Sequence, residues 1–418
     1  MRKRKILVSA YGCEPNRGSE AGVGWNWVLQ MARYNELFII TRSNDKDKIE
    51  MNIPEQLFEN LHFYYYDTCK LLRKVKKREK GLYLYYWFWQ IGIIRLVRRL
   101  ISEHKFDYSM HLSFGSLWMP TFLPFFNVPF IWGPLGGADA VPEQMIKTLP
   151  LKQQLLQKFR FLLVRTTRFN PLVYIPSRKA VAILCRTKQN VLAVPGKYRD
   201  KTQVILETAM SDEIFSLRKA NKREDNCIRI ITVGRLIPIK NMNIAIDSIK
   251  YLRDSQRNIH LTIIGSGSEY KNMKKRIKNC GLDEDISIIG EMPRNDVLEI
   301  MSMSDIFIFP SLKEGGSWSL MEAMALGLPV ICLKWTGMEI ITDNQCAFRI
   351  DPLSYDYILR KTVEYLDTLI IDKPLRERMG AAGRQRMLQK FTWERKGEQI
   401  EDILKLIDKG GVGYSKLQ

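Results

Sequence analysis

At 418 residues and 45% hydrophobic content, the chain is long enough for two or three domains with ordinary cores. Its seven cysteines form no CxxC pairs and have no His partners at metal-ligand spacing, which excludes a disulfide or zinc framework and reads as reduced thiols of a cytosolic protein. The net charge of +20 is uneven: residues 1–206 hold 33 Lys and Arg against 15 Asp and Glu, the remainder 32 against 30, so the field that draws nucleic acid, anionic lipid or a phosphorylated substrate belongs to the first half.

In chain order, residues 1–15 carry a basic start and only a handful of apolar residues, the pattern of a first strand and not of a signal peptide. The strand at 6–10 empties into a loop holding Gly12, Gly18, Gly22 and Gly24, and a helix begins near Val23. This is how a doubly wound domain opens, although the glycine spacing is not GxGxxG and supports no dinucleotide fingerprint. Such a loop can present backbone amides and Glu20 to a ligand.

Further strands are expected at 37–41, 61–66, 108–112, 130–132, 181–185 and 203–206, with helical stretches between them. That alternation means a parallel sheet covered by helices on both faces. Asp45-Lys46-Asp47 has the DxD form of a divalent-ion site, but its interleaved lysines read better as a solvated turn.

The run 70–80 carries seven basic residues and one acid, and the aromatic stretch 82–94 follows it. Thirteen residues are too few to span a bilayer, which needs about 20. Cations beside Tyr and Trp are the composition of a helix at a membrane surface, and 155–164 is a second such candidate. His111 sits at the end of a strand before a Gly-Ser loop, and FIWGPLGG at 130–137 ends another strand in Gly and Pro.

Residues 207–227 are polar, lack periodicity and read as a linker. The strand at 228–233 leads to Gly234-Arg235-Leu236-Ile237-Pro238-Ile239-Lys240-Asn241 and then a helix. Arg235 and Lys240 bracket this strand-to-helix loop, where cations make sense if an anion sits between them. Strands at 261–265 and 286–289 follow.

The strand at 306–309 opens into a loop at 311–317, a helix at 319–326 and another strand at 330–333. Glu314 lies in that loop and Glu322 in the second turn of the helix, while Gly315 and Gly316 admit close backbone approach. The amides of Ser317, Trp318 and Ser319 begin the helix, where unpaired N–H groups favour an anion. An anion site flanked by two acids fits a ligand that is part phosphate and part polyol, such as a nucleotide sugar. Helices are expected at 354–369 and 375–390, then FTWE and a final helix.

With GRLIPIKN, the Glu314/Glu322 pair and EAMALGLPVI in one domain, the chain resembles the family 4 retaining glycosyltransferases of GT-B fold. SAYGCEPNRGSEAGVGW and FIWGPLGG are similar to a bacterial subgroup that builds surface polysaccharides. The resemblance implies an α/β protein of two Rossmann-like doubly wound domains facing across a cleft. The expected boundaries are 1–206 for the acceptor domain, 207–227 for the linker, 228–390 for the nucleotide-sugar domain and 391–418 for a helix returning to the first domain. No metal or other cofactor is implied.

By the same resemblance, Arg235 and Lys240 hold the donor diphosphate, Glu322 binds the ribose and Glu314 the transferred sugar. His111 lines the reaction centre, and Gly18 approaches the diphosphate. The family commonly has E-G-F-G where this chain has Glu314-Gly315-Gly316-Ser317. The donor is expected to be UDP- or GDP-linked, the acceptor a glycan or polyprenyl-linked sugar, and the location the cytoplasm or the cytoplasmic face of the inner membrane, held by the basic half. A sugar-nucleotide epimerase of the same fold is the alternative. A nucleic-acid partner is not expected, because no zinc finger or recognition-helix signature is present.

Overall fold

The computed structural model describes residues 2–69, 81–217, 226–253 and 257–410. The basic run 70–80 and residues 218–225 of the expected linker lie outside the described residues. The chain divides into two compact units, one holding the described parts of 1–138, 162–207 and 393–418, the other 139–161 and 208–392. The association of 139–161 with the second unit has no sign in the sequence.

The first unit is built on β1 (Lys5–Ala10), β2 (Glu36–Thr41), β3 (Leu61–Tyr65), β4 (Tyr108–Ser113), β5 (Phe130–Leu135), β6 (Ala180–Cys185) and β7 (Thr202–Val204). All pairings are parallel, in the order β3-β2-β1-β4-β5-β6-β7. The chain leaves the centre toward one edge and then returns to build the other. That doubly wound order puts its switch point between β1 and β4.

The second unit repeats the plan with β8 (Ile228–Val233), β9 (Ile259–Ile264), β10 (Ile286–Gly290), β11 (Ile306–Phe309), β12 (Val330–Leu333) and β13 (Ala347–Ile350). Its order is β10-β9-β8-β11-β12-β13, again parallel. The switch point falls between β8 and β11. The central strands β11 and β12 are buried at every position, because helices cover both faces of a parallel sheet, and for that reason they read as unbroken apolar runs. Only β13 escapes the sequence reading, being four residues long with Arg349 inside it and its two middle positions half-buried.

Two elements differ from expectation in the first unit. The aromatic stretch forms a helix, Leu82–Gly92, but Tyr85, Tyr86 and Trp89 enter the core and the Trp89 indole N–H donates to the Tyr66 carbonyl at 2.9 Å. That face is core, while Tyr83, Leu84, Phe88 and Ile91 of the same helix stay exposed. Asp45 and Asp47, expected in a turn, instead lie in two consecutive short helices, Ser43–Asp45 and Lys46–Glu50.

The last helix, Trp393–Asp408, belongs to the first unit and packs on the helix Ser19–Ala32. Arg4, at the entrance to β1, donates to Glu401 at 3.0 Å and to Asp408 at 2.6 Å. On the inner side of the same helix Lys396 is 2% exposed, with its ammonium 3.2 Å from Gln399 Oε1. Burial pushes it down to about 8, with Glu207 opposing the shift.

The native chain therefore binds fewer protons than the unfolded chain between about pH 8 and the ordinary lysine value, so stability rises with pH across that window. We expect Lys396→Met to be the more stable protein at pH 7, with an advantage that shrinks by roughly 2–3 kcal/mol by pH 10. Thermal unfolding of both proteins at the two pH values checks this. A constant difference would mean that Lys396 is not the group responsible.

Candidate active site

In open α/β sheets, ligands bind outside the carboxyl ends of the strands at the switch point. In the second unit that position is taken by the loops after β8 and β11. A main-chain bond ties the two loops, from Leu312 N to Ile239 O at 2.9 Å. A short 3-10 turn, Pro238–Lys240, with Asn241 in the left-handed region at φ 53°, ends the β8 loop.

Lys240 donates to Glu314 Oε1, and both side chains are only 12% exposed. Its ammonium also lies 5.5 Å from the centre of the Phe309 ring. Ser311 Oγ donates to the same Glu314 oxygen at 2.7 Å. The lysine therefore sits on the loop carboxylate, a partner the sequence reading did not anticipate. Arg235 is exposed and makes no side-chain hydrogen bond or ion pair among the described residues. One cation is held in place and the other is available.

Glu322 lies in the helix Trp318–Ala325, whose N-cap position is Ser317. Its side chain is 7% exposed and accepts from Arg294 Nε at 2.7 Å. The carboxylate is thus fixed by an arginine that opens the helix Arg294–Ser302 after β10, as well as by its own helix. Ser317 and Ser319 hydroxyls stand 3.5 Å apart at the helix start. A Cβ on Gly316 would fall 1.9 Å from Thr208 Oγ1, so the close approach expected of a ligand at this glycine is made, on that side, by the protein itself.

The loop carrying Glu314 and Gly315 is clamped from behind. The Glu314 amide donates to Thr336 Oγ1 at 3.1 Å, and the Gly337 amide donates to the Glu314 carbonyl at 3.0 Å. Thr336 has φ 50°, a left-handed conformation that costs a β-branched residue roughly 1–3 kcal/mol. Burial, with the charge on Arg160 adding to it, pushes neighbouring Lys313 down to about 8, while Asp139 and Glu314 oppose the shift.

Sequence reasoning missed Arg294, Ser311, Thr336 and Gly337. Arg294 and the Thr336–Gly337 pair follow β10 and β12, at the same carboxyl edge. Strand position alone therefore pointed at them.

The remaining expected residues lie in the first unit. Gly18 is the extended N-cap of the helix Ser19–Ala32, and nothing lies within 4 Å of where its Cβ would be. Glu20 is used internally, accepting from the Gly115 amide at 2.9 Å and pairing with Arg186 at 3.4 Å. His111, in β4, is 1% exposed with Nε2 3.5 Å from Tyr86 Oη. Burial lowers its titration to about 4, so the imidazole is neutral at physiological pH. It is a buried polar group near the carboxyl end of β4.

Residues 213–386 match the family described as Glycosyl transferases group 1. The sequence is 33% identical to the amylovoran biosynthesis glycosyltransferase AmsK of Erwinia amylovora over 124 residues, 28% of this chain and 30% of that protein. It is 27% identical to the capsular polysaccharide biosynthesis glycosyltransferase CapM of Staphylococcus aureus over 217 residues, 52% of this chain and 56% of that one. The chain thus spans less than two thirds of either relative. Among solved structures, Alr3699/HepE of Anabaena in complex with UDP superposes with TM-score 0.62 at 13% identity, covering 96% of this chain and 99% of that one. That likeness shows the fold, which is GT-B: two Rossmann-like units, each around a parallel sheet.

Proposed function

We propose, from the premise that residues 213–386 belong to the Glycosyl transferases group 1 family, that this protein is a glycosyltransferase of bacterial surface-polysaccharide synthesis. It moves a sugar from a UDP- or GDP-linked donor to a glycan or polyprenyl-linked acceptor, with retention and without a metal. The observation that carries this reading is the Lys240–Glu314 pair beside unpaired Arg235, at the switch point of the second sheet.

When the sugar leaves, negative charge gathers on the nucleotide diphosphate and positive charge on the anomeric carbon. Cations already in place favour that state over the ground state. Arg235 and Lys240 take the diphosphate, which draws Lys240 away from Glu314. Glu314, still held by Ser311, is then released to hydrogen-bond the transferred sugar. Gly315, Gly316 and the helix start at Ser317, Trp318 and Ser319 line the phosphate path, and Glu322 takes the ribose hydroxyls in exchange for Arg294. In the first unit, Gly18 leaves space for the diphosphate, and His111 enters as a neutral hydrogen-bonding group.

Retention follows from front-face attack. The bond from the anomeric carbon to the phosphate oxygen breaks, the acceptor oxygen bonds on the same face, and the acceptor proton passes to the departing diphosphate.

Thermal shift against UDP, GDP and their sugars tests the donor site, because a ligand at 100 times its dissociation constant adds about 2.7 kcal/mol of stability. We expect one nucleotide series to raise the unfolding midpoint and the other to have little effect. Product analysis with and without acceptor separates transfer from epimerisation, and the anomeric configuration of the product reports retention. Silence toward both series would remove the proposal.

A further inference from the structure

A guanidinium stays charged at any pH a protein meets and carries several N–H donors, so where it leaves water it normally finds carboxylates or carbonyls. Arg4 and Arg386 show the usual solution. Both are half-buried, Arg4 on Glu401 and Asp408 and Arg386 on Asp343. Arg42, the residue that follows β2, is half-buried too. Its Nε is sealed from solvent without a hydrogen-bond partner, and it makes no ion pair or side-chain hydrogen bond among the described residues.

Aromatic rings hold it instead. The guanidinium carbon lies 5.1 Å from the centre of the Tyr11 ring and 5.9 Å from that of Tyr85, and both tyrosines are buried. Tyr11 follows β1, and Tyr85 belongs to the helix Leu82–Gly92. Contact with ring faces steadies a guanidinium and uses none of its N–H groups. Asp67 and Asp45 are the carboxylates whose charge acts on this cluster, and neither forms an ion pair with Arg42. Asp67 accepts from the hydroxyls of Tyr85 and of Ser43, the second at 2.8 Å, so both its oxygens are engaged. The cluster stands at the carboxyl ends of β1, β2 and β3, the edge of an open α/β sheet where ligands bind.

What this edge holds ready is a steadied, forked donor with its N–H groups unspent. The match for such a fork is an oxyanion taken bidentately, a carboxylate or a phosphate. We propose that Arg42 receives the anionic group of the acceptor, which makes the acceptor an acidic sugar and not a neutral one. The carboxylate of a uronic acid and the phosphate of a sugar phosphate share this chemistry. That the anion belongs to the acceptor rests on the transfer reaction proposed above, whereas its binding needs no donor.

The test is saturation-transfer NMR on the full chain with methyl β-glucuronide, glucose 1-phosphate and, as the neutral reference, methyl β-glucoside. At least one anionic probe is expected to bind about tenfold or more tighter than the glucoside, the effect of one charge-assisted pair. Preference for the glucuronide assigns a carboxylate, and preference for glucose 1-phosphate a phosphate. Arg42→Gln should abolish the preference, and Arg42→Lys, which keeps the charge and loses the fork, should weaken it. Arg235→Gln, in the other unit, should leave it intact. The unfolding midpoint of Arg42→Gln should hold, because no ion pair is lost; if it falls, Arg42→Lys carries the test. Anionic probes that bind no tighter than the glucoside overturn the proposal, as does a preference that survives Arg42→Gln or vanishes in Arg235→Gln. Silence toward UDP and GDP with the anionic preference intact would remove the transfer reaction and leave the Arg42 site standing.

Discussion

Lys240→Ala is expected to reduce turnover by roughly 100- to 1000-fold, the usual effect of removing one preplaced donor from a developing anion. The geometry adds a complication, because Lys240 is also the ion-pair partner of Glu314, with both side chains 12% exposed. Removing the lysine leaves that carboxylate with the Ser311 hydroxyl, at a cost of about 1–3 kcal/mol for a buried acceptor that has lost a partner. Lost activity in the single variant could thus arise from a disordered loop.

Lys240→Met combined with Glu314→Gln separates the two causes. Both charges go together, so the unfolding midpoint should recover toward wild type while turnover stays at least about 100-fold down. Steady-state rates and thermal unfolding on the same preparations give both readouts. If the double variant regains activity along with stability, the pair is a structural strut and the diphosphate is held elsewhere.

Gly337→Ala is expected to damage the site although Gly337 itself is assigned no contact with the substrate. A Cβ there would stand 1.7 Å from the Gly315 carbonyl oxygen and 3.2 Å from that of Glu314. These are backbone atoms that no rotamer change can move. Either the helix Thr336–Ile341 backs away or the Glu314 loop does, and in both cases the bond from Gly337 N to Glu314 O is lost. Overpacking of this kind costs about 1–3 kcal/mol, or roughly 2–4 °C per kcal/mol for a domain of this size.

The displaced Glu314 should lower turnover by about 100-fold, since a misplacement near 1 Å has that effect in a positioned site. Gly196→Ala is the control, having nothing within 4 Å of its Cβ and no positive φ. A Gly337→Ala enzyme with wild-type rate and midpoint would show that the clamp does not position the loop.

Two stretches of like composition show most directly where local pattern stops being informative. The stretches 82–94 and 155–164 have the same ingredients, aromatic or leucine-rich residues beside cations, and the sequence supports a membrane role for either. In the folded chain Tyr86 and Trp89 of the first are fully buried, whereas Leu155 and Phe159 of the second stand in solvent. A helix apolar on several sides has no preferred face of its own. The neighbouring elements choose it.

Strand positions, the doubly wound alternation and the loops at carboxyl ends are properties of contiguous residues. The sequence by itself therefore determined twelve of the strands and placed Arg235, Lys240, Glu314 and Glu322 in the right loops and helix. Burial of a parallel strand on both faces writes itself as an unbroken apolar run, which needs no partner to be legible. Only the tertiary structure decided that Lys240 rests on Glu314, that Arg294 reaches Glu322, that Gly337 props the loop and that His111 is buried and neutral. Each of those depends on the register between strands far apart in the chain, and an ion pair or a 3 Å contact carries no local signature of the residue it will meet.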